Sequence, residues 1–302
     1  MSYILESYDN TLHQILEKGC RKSNRTGIDT LSISGIQCRY DISDRFPILT
    51  KRKVWPKSIF AELLWFLSGS TNNKDLQALG SNIWTPWVST EFEKTHGYVE
   101  GALGPVYGFQ LRHFGGRYGN GAPIQFEVYE SSEGYQYKKE FSYGEGGFDQ
   151  LQNMIDLLHN DPDSRRNLFS LWNPRDLSKM RIPPCHYTFQ VFAHNNKLSG
   201  MLTQRSCDMF IGCAANIQFY SAFIYILSQQ IGYRPHEFIH SIGDAHIYIN
   251  HIEATNKYLS RESKESPKLL LNKASDIYSY NLEDFKVINY NPHDPIKVAV
   301  AV

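Results

Sequence analysis

The chain has 302 residues, which is enough for one large domain with a substantial core. It carries 31 basic and 31 acidic residues, and this zero net charge argues against bulk electrostatic binding of nucleic acid or of an acidic membrane surface. The longest apolar stretch, from Ile217 to Leu227, is too short to span a membrane and predicts a buried helix.

The first half of the chain predicts helices, a strand and a surface insert. Residues 4–19 have helical spacing of apolar side chains and end at Gly19. Residues 30–42 alternate between apolar and polar, which predicts a half-buried strand. Residues 57–69 predict a second helix. Residues 115–147 are rich in Gly, Tyr, Ser and Glu, and they predict a surface insert that contains a hairpin.

The second half predicts a β centre with helices packed on it. An amphipathic helix over residues 148–160 is followed by three strands at 167–173, 186–194 and 197–204. Two further helices are predicted at residues 216–232 and 244–260. Because no repeat or low-complexity linker is present, we predict a single α+β domain over residues 1–302.

The cysteines indicate a reducing environment. There are five of them, an odd number, and no two have the C-x-x-C spacing of a metal or redox motif. The N-terminus has no basic start followed by an apolar run, so no signal peptide is predicted. We therefore expect a cytoplasmic protein without a disulfide framework or a metal site. The cysteines are Cys20, Cys38, Cys185, Cys207 and Cys213.

One of these cysteines has the context of a nucleophile. Cys185 follows two prolines and precedes His186 at the start of a predicted strand. A thiolate attacks electrophilic carbon, and cations such as Arg205 favour the ionised form. The alternative is that Cys185 only fills space in the core, as most lone cysteines do.

Two other polar features admit both a functional and a structural interpretation. Glu62 lies on the apolar face of the helix over residues 57–69, where a carboxylate is costly unless it is paired or used; the alternative is a solvated helix edge. His246, Tyr248 and His251 follow one another closely. Their spacing does not match a metal site on one helical face, so hydrogen bonding to a polar ligand is the better interpretation.

Six segments together resemble the thymidylate synthase family. They are "ELLWFLSGSTN", "GPVYGFQLRHFG", "DPDSRR", "PPCH", "QRSCDMFIG" and "GDAHIYINH", and the resemblance extends from about Asn24 to Val302. It implies a large twisted mixed sheet flanked by helices, with two subunits packed sheet to sheet as a homodimer. The insert at residues 115–147 has no clear counterpart in the family.

The resemblance also implies the substrates and the site. Cys185 would add to C6 of dUMP, and C5 would then accept a one-carbon unit from 5,10-methylenetetrahydrofolate, a reduced folate that serves as co-substrate. The implied catalytic residues are Cys185, Glu62, His186, Asp208 and Tyr107. The implied nucleotide-binding residues are Arg25, Arg205, Ser206, Asn216, His246 and Tyr248, with Arg165 and Arg166 supplied by the partner subunit. The implied folate-binding residues are Trp84, Asp208, Gly212 and Ala301.

Residues at the start of the predicted helix 216–232 and just before it, together with Thr85, bear on the substrate and the product. The Asn216 amide can accept from N3–H and donate to O4 of uracil, which favours dUMP over dCMP. Ala214 and Ala215 replace the Pro-Phe pair that is usual in synthases, and Thr85 replaces a usual Asp. These departures favour a deoxyuridylate hydroxymethylase, in which water captures the methylene intermediate. A thymidylate synthase that yields dTMP and dihydrofolate is the close alternative, and a non-catalytic nucleotide- or RNA-binding relative is the remote one.

Overall fold

The computed structural model describes residues 4–130 and 136–300, with the backbone alone for 125–130 and 136–141. The α-helices are α1 Glu6–Lys18, α2 Pro56–Leu67, α3 Asn73–Ala78, α4 Thr90–His96, α5 Tyr107–Arg112, α6 Gln150–Asn160, α7 Gly212–Ile231 and α8 Ile252–Leu259. Short 3₁₀ turns cover Thr85–Trp87, Leu177–Lys179, Ile249–His251 and Leu282–Asp284. The strands are β1 Cys20–Lys22, β2 Thr30–Asp41, β3 Arg117–Tyr118, β4 Ile124–Glu130, β5 Gln136–Ser142, β6 Gly144–Glu145, β7 Leu168–Ser170, β8 His186–His194, β9 Lys197–Asp208, β10 Arg234–Tyr248, β11 Lys268–Leu271 and β12 Phe285–Ile288.

A six-stranded mixed sheet forms the centre of the fold. Its strand order is β1-β2-β10-β9-β8-β7, and β9 and β10 run parallel while the other neighbours run antiparallel. The predicted α+β class, with a large mixed sheet flanked by helices, is confirmed. The parallel pair matters for function because the carboxyl ends of both strands reach the same edge of the sheet.

The long helix α7 packs on one face of this sheet and supplies much of the core. Most of its side chains are buried, as its nearly continuous apolar sequence predicts. The strand below it must have a glycine at one position. A Cβ atom on Gly200 of β9 would lie 2.4 Å from Cζ of Phe189 and 2.9 Å from Cδ1 of Ile224. Helix and sheet can therefore approach closely only because position 200 has no side chain.

The other face of the sheet is polar and partly open. Tyr187, Met201, Thr203 and Ser241 are half-buried there, and Phe192 is exposed. Alternate residues of β9 point to the two faces, so this strand is apolar towards α7 and mixed on the opposite side. Within the described residues, this face remains available for another surface.

The predicted helix over residues 244–260 is wrong in its first part. Residues up to Tyr248 belong to β10, a single 3₁₀ turn follows, and only Ile252–Leu259 is α-helical. Ala245 and Ile247 are fully buried and alternate with His246 and Tyr248, which is the period of two that a strand requires. The position of β10 between β2 and β9 supplies backbone partners on both sides, and the helical interpretation ignores them.

The remaining predicted elements agree with the structure to within a few residues, with β7 shorter than predicted. The predicted hairpin is formed by β4 and β5, and β3 pairs with β6 at its base. Residues 131–135, which the predicted insert includes, lie outside the described residues. No helix in the described chain is long and apolar enough to cross a membrane.

Candidate active site

A cleft of about 1160 Å³ opens at the edge of the sheet where β9 and β10 end. The parallel register places His246 of β10 level with Asp208 of β9, and Asp244 level with Ser206. Cys185 precedes β8 at the same edge. The cleft brings together side chains that are distant in sequence, namely Arg25, Glu62, Trp84, Tyr107, Cys185, His186, Arg205, Ser206, Asp208, Gly212, Asn216, His246 and Tyr248.

The prolines and Arg205 fix the position of Cys185. Arg205 donates from Nε to the carbonyl of Pro184 at 2.8 Å and from Nη2 to that of Pro183 at 2.9 Å. The same Nη2 lies 3.6 Å from Sγ of Cys185. The backbone N–H of Cys185 donates to the hydroxyl of Tyr107 at 3.0 Å. The thiol is therefore held by its own backbone and faces a guanidinium group.

Burial opposes ionisation of this thiol. Desolvation raises the pKa of Cys185 above its ordinary value, and the charges of Arg205 and Arg25 lower it only in part. The expected effect of nearby cations is therefore present but smaller than the effect of burial. Arg165 and Arg166 are not among the cations near this thiol in its own chain, because both are exposed and neither lines the cleft.

Glu62 is a buried carboxyl group with one strong partner. Its side chain on α2 accepts a hydrogen bond from Nε1 of Trp84 at 2.5 Å, and the residue is only 9% exposed. Burial raises the pKa of Glu62 to about 7, although the Trp84 N–H opposes the rise. At neutral pH both the acid and its conjugate base are populated, which is the condition for general acid-base catalysis.

His186 and Tyr107 form the aromatic wall next to the thiol. Their rings stack with centroids 4.4 Å apart, and Phe66 stacks with both, at 4.8 Å from Tyr107 and 5.9 Å from His186. Nδ1 of His186 is 2.7 Å from the hydroxyl of Tyr220. Burial, and secondarily the nearby His240, lowers the pKa of His186 to about 3. The imidazole is therefore neutral and contributes hydrogen bonding and packing without a charge.

A polar group at the end of β10 includes Asp244 and Lys22, which are not among the predicted site residues. Nδ1 of His246 is 3.0 Å from Oδ1 of Asp244, and Asp244 also forms an ion pair with Lys22 at 3.0 Å. The hydrogen bond from His246 holds the pKa of Asp244 far below its usual range. The period-two spacing of residues 244 and 246 is a signal for this pair, but it is visible only once the segment is recognised as a strand.

The other side of the cleft is apolar and aromatic. Trp84 and Trp87 lie with centroids 5.6 Å apart. Oδ1 of Asp208 accepts the backbone N–H groups of Phe210 and Ile211, just before α7 begins at Gly212. These contacts orient one carboxylate oxygen of Asp208 towards the backbone and leave the other oxygen for a ligand.

The positions that depart from the synthase pattern differ in their relation to the cleft. Ala214 is 4% exposed, Ala215 is half-buried, and both line the cleft. Thr85 does not line it; its hydroxyl accepts from Nε2 of Gln77 at 3.3 Å on the outer side. Cys213 is fully buried beside His240 and does not fill the space next to Ala215.

The C-terminal segment runs along the cleft. Nε2 of His251 is 2.8 Å from the carbonyl of Ala299, and Val300 lines the cleft. Ala301, a predicted folate contact, lies outside the described residues. Among the residues that are described, no group of three or more His, Cys, Asp or Glu side chains could hold a metal ion.

Comparison with known proteins identifies the family. The family model for thymidylate synthase matches residues 6–302. The human thymidylate synthase is 43% identical over 299 residues, which cover 98% of this chain and 90% of that protein. A thymidylate synthase of Corynebacterium aurimucosum is 39% identical over 303 residues, with 100% of both chains covered. A bifunctional dihydrofolate reductase-thymidylate synthase of Zea mays is 40% identical and is covered over 54% of its length. The resemblance is thereby confirmed, and the chain belongs to the thymidylate synthase family.

Proposed function

We propose that the chain is a thymidylate synthase, which converts dUMP to dTMP and oxidises methylenetetrahydrofolate to dihydrofolate. Its family makes it a folate-dependent one-carbon transferase that acts on dUMP. One-carbon transfer to dUMP is supported by the convergence of Cys185, Glu62 and Asn216 on one cleft that is also lined by Arg25 and Arg205, and the similar proteins named above favour the synthase outcome. This set supplies a nucleophile, a proton carrier, a base reader and phosphate-binding cations.

The chemistry begins at Cys185. Its sulfur forms a bond to C6 of uracil, and the ring electrons move to C5, which becomes nucleophilic enough to bond to a one-carbon unit. Bound methylenetetrahydrofolate supplies that carbon and, in a synthase, the hydride that reduces it. Glu62, with its pKa near neutrality, accepts the C5 proton through water, and the electrons of that C–H bond release the folate nitrogen from the one-carbon unit, which is left as a methylene group on C5. Hydride addition to that methylene group re-forms the C5–C6 double bond, expels Cys185 as the thiolate and restores the ring.

The nucleotide is held by groups of complementary chemistry. The guanidinium groups of Arg25 and Arg205, with the hydroxyl of Ser206, bind the phosphate. His246 and Tyr248 hydrogen-bond to the sugar hydroxyl. We propose that Arg165 and Arg166 of a second subunit complete the phosphate site, because they are exposed and lie away from the cleft of their own chain.

The open face of the sheet supports a homodimer. Its half-buried Tyr187, Met201 and Thr203, with the exposed Phe192, form a mixed surface suited to a matching sheet. The five cysteines are free, which supports the proposal of a reducing, cytoplasmic setting.

Hydroxymethylation is the second candidate because of one observation. The methyl group of Ala215 leaves room in the cleft wall where a synthase usually carries a phenylalanine, and water needs only room and a polar partner. The comparisons favour the synthase alternative, since the similar proteins named above are thymidylate synthases. Thr85 does not favour either outcome because it lies outside the cleft.

Mass spectrometry of the products tests the proposal. The protein is incubated with dUMP and methylenetetrahydrofolate, and both the nucleotide and the folate are identified. We expect dTMP and dihydrofolate in equal amounts. Formation of 5-hydroxymethyl-dUMP with unoxidised tetrahydrofolate would establish the hydroxymethylase instead. The Cys185→Ala variant is the control and should give neither product.

A further inference from the structure

A buried chain of hydrogen bonds lies behind the base-reading residue Asn216. Oδ1 of Asn216 is 3.3 Å from Nε2 of Gln204, and that same nitrogen donates to the carbonyl of Ser206 at 2.9 Å. Oε1 of Gln204 is 2.8 Å from Nε2 of His240. His240 is fully buried and Gln204 is 3% exposed, so neither can exchange these partners for bulk water.

The directions of these hydrogen bonds follow from one fixed acceptor. The Ser206 carbonyl can only accept, so the group that faces it is the Gln204 amide nitrogen, and its second hydrogen points to Asn216. The Gln204 oxygen then faces His240, whose Nε2 must carry a hydrogen to donate to it. Burial lowers the pKa of His240 to about 3, so the ring is neutral and Nδ1 is unprotonated. The thiol of Cys213 lies 4.0 Å from that Nδ1.

These hydrogen bonds determine which side of the Asn216 amide faces the cleft. Its oxygen is held by Gln204, and its NH₂ group is left to donate into the cleft, while the second lone pair of the oxygen can still accept. A uracil ring offers an O4 acceptor and an N3–H donor, which match this arrangement. Cytosine offers an amino donor and an N3 acceptor, which place donor against donor and acceptor against acceptor.

We propose that His240 is a positioning residue for pyrimidine choice, acting through Gln204 to hold the Asn216 amide in the orientation that accepts uracil and rejects cytosine. The proposal rests on dUMP being the substrate, as proposed above. His240 does not reach the nucleotide, so its effect passes through the Gln204 side chain. The Gln204 amide has all its hydrogen-bonding groups engaged, and loss of the His240 donor would leave a buried oxygen unpaired.

The test compares nucleotide selectivity in three variants. His240→Phe keeps a ring but removes the donor, His240→Gln restores an N–H donor, and Phe238→Leu changes packing beside His240, where the two rings lie 5.5 Å apart. Dissociation constants for dUMP and dCMP are measured by quenching of tryptophan fluorescence, since Trp84 lines the cleft. We expect the dCMP-to-dUMP ratio of dissociation constants to fall roughly tenfold in His240→Phe. It should stay within about threefold of the natural protein in His240→Gln and Phe238→Leu.

Two results would overturn the proposal. One is an unchanged ratio in His240→Phe, and the other is an equal fall in Phe238→Leu, which would indicate general loosening of the core. If the natural protein itself shows no preference for dUMP, the proposed function fails first. Should His240→Phe not fold, ¹⁵N NMR of the natural protein still decides the matter. We expect a neutral His240 with its proton on Nε2, and a proton on Nδ1 instead would contradict the chain of donors.

Discussion

Cys185 combines a buried position with a guanidinium neighbour, and this balance shapes its reactivity. Burial, the largest cause, raises its pKa and disfavours the thiolate, while Arg205 at 3.6 Å favours it. Burial shields this thiol from side reactions, and the backbone hydrogen bond to Tyr107 fixes its position. The two prolines before it have no backbone N–H to donate, and the carbonyls of both accept hydrogen bonds from Arg205.

Replacing Cys185 by alanine should separate binding from chemistry. We expect turnover of dUMP to fall by roughly a thousandfold or more, because covalent addition at C6 is lost. The dissociation constant of dUMP should change by only about threefold, since the phosphate and base contacts lie elsewhere. Steady-state rates and fluorescence titration measure the two quantities. Cys20→Ala, an exposed thiol outside the cleft, is the control and should remain active.

The Glu62 carboxyl should make stability depend on pH. Its folded pKa of about 7 lies above the usual 4.5, so the folded state holds a proton that the unfolded state releases. This contribution is complete below pH 4.5 and is lost as the pH rises to 7. Relative to Glu62→Gln, the natural protein should lose on the order of 3 kcal/mol of unfolding free energy across this window. Urea denaturation at several pH values measures it, and identical pH profiles for the two proteins would disprove the raised pKa.

The side chains that could be predicted from the sequence differ in kind from those that could not. Cys185 and Glu62 stand out by their local context, and the resemblance to the family adds the remaining predicted site residues. Asp244, Gln204 and His240 are not among the predicted site residues, because their importance depends on the register between β9 and β10. The ionisation of the Cys185 thiol is the property that the sequence predicts least well, because the extent of its burial follows from tertiary packing.

Strand β10 is the element for which the prediction from the sequence differs most from the structure. The sequence predicts its last residues as helix, because residues 244–259 contain apolar side chains at mixed spacings. The end of the strand, the 3₁₀ turn and α8 also follow one another in this segment without a glycine or proline that would mark a boundary. Non-local pairing with β2 and β9 decides the outcome. Elements with a strong local period, such as α1, α6 and β2, needed no such information and were predicted correctly.

Gly200 offers a test of the packing between α7 and the sheet. We expect Gly200→Ala to lower the free energy of unfolding by about 1–3 kcal/mol, because its methyl group would collide with Phe189 and Ile224. Gly119→Ala is the matched control, since a Cβ there meets nothing within 4 Å, and it should change stability by less than about 0.5 kcal/mol. Equal effects in chemical denaturation of the two variants would contradict the close approach of helix and sheet.

At the scale of the whole molecule, the open sheet face and the exposed arginines suggest active sites shared between subunits. Mixing Cys185→Ala with Arg166→Ala subunits tests this idea. In a mixed dimer one site would carry both defects and the other would carry none. After subunit exchange we expect about one quarter of the natural activity from two inactive parents. No recovery, despite mixed dimers detected by native mass spectrometry, would place Arg166 outside the shared site.

The central claim is that the methylene group on C5 is reduced by hydride from the folate. The most direct measurement uses methylenetetrahydrofolate with deuterium at C6 of its tetrahydropterin ring and follows the label by mass spectrometry. The account predicts that one deuterium appears in the methyl group of dTMP for each dihydrofolate formed. A 5-hydroxymethyl nucleotide without deuterium, together with tetrahydrofolate that keeps its label, would contradict it.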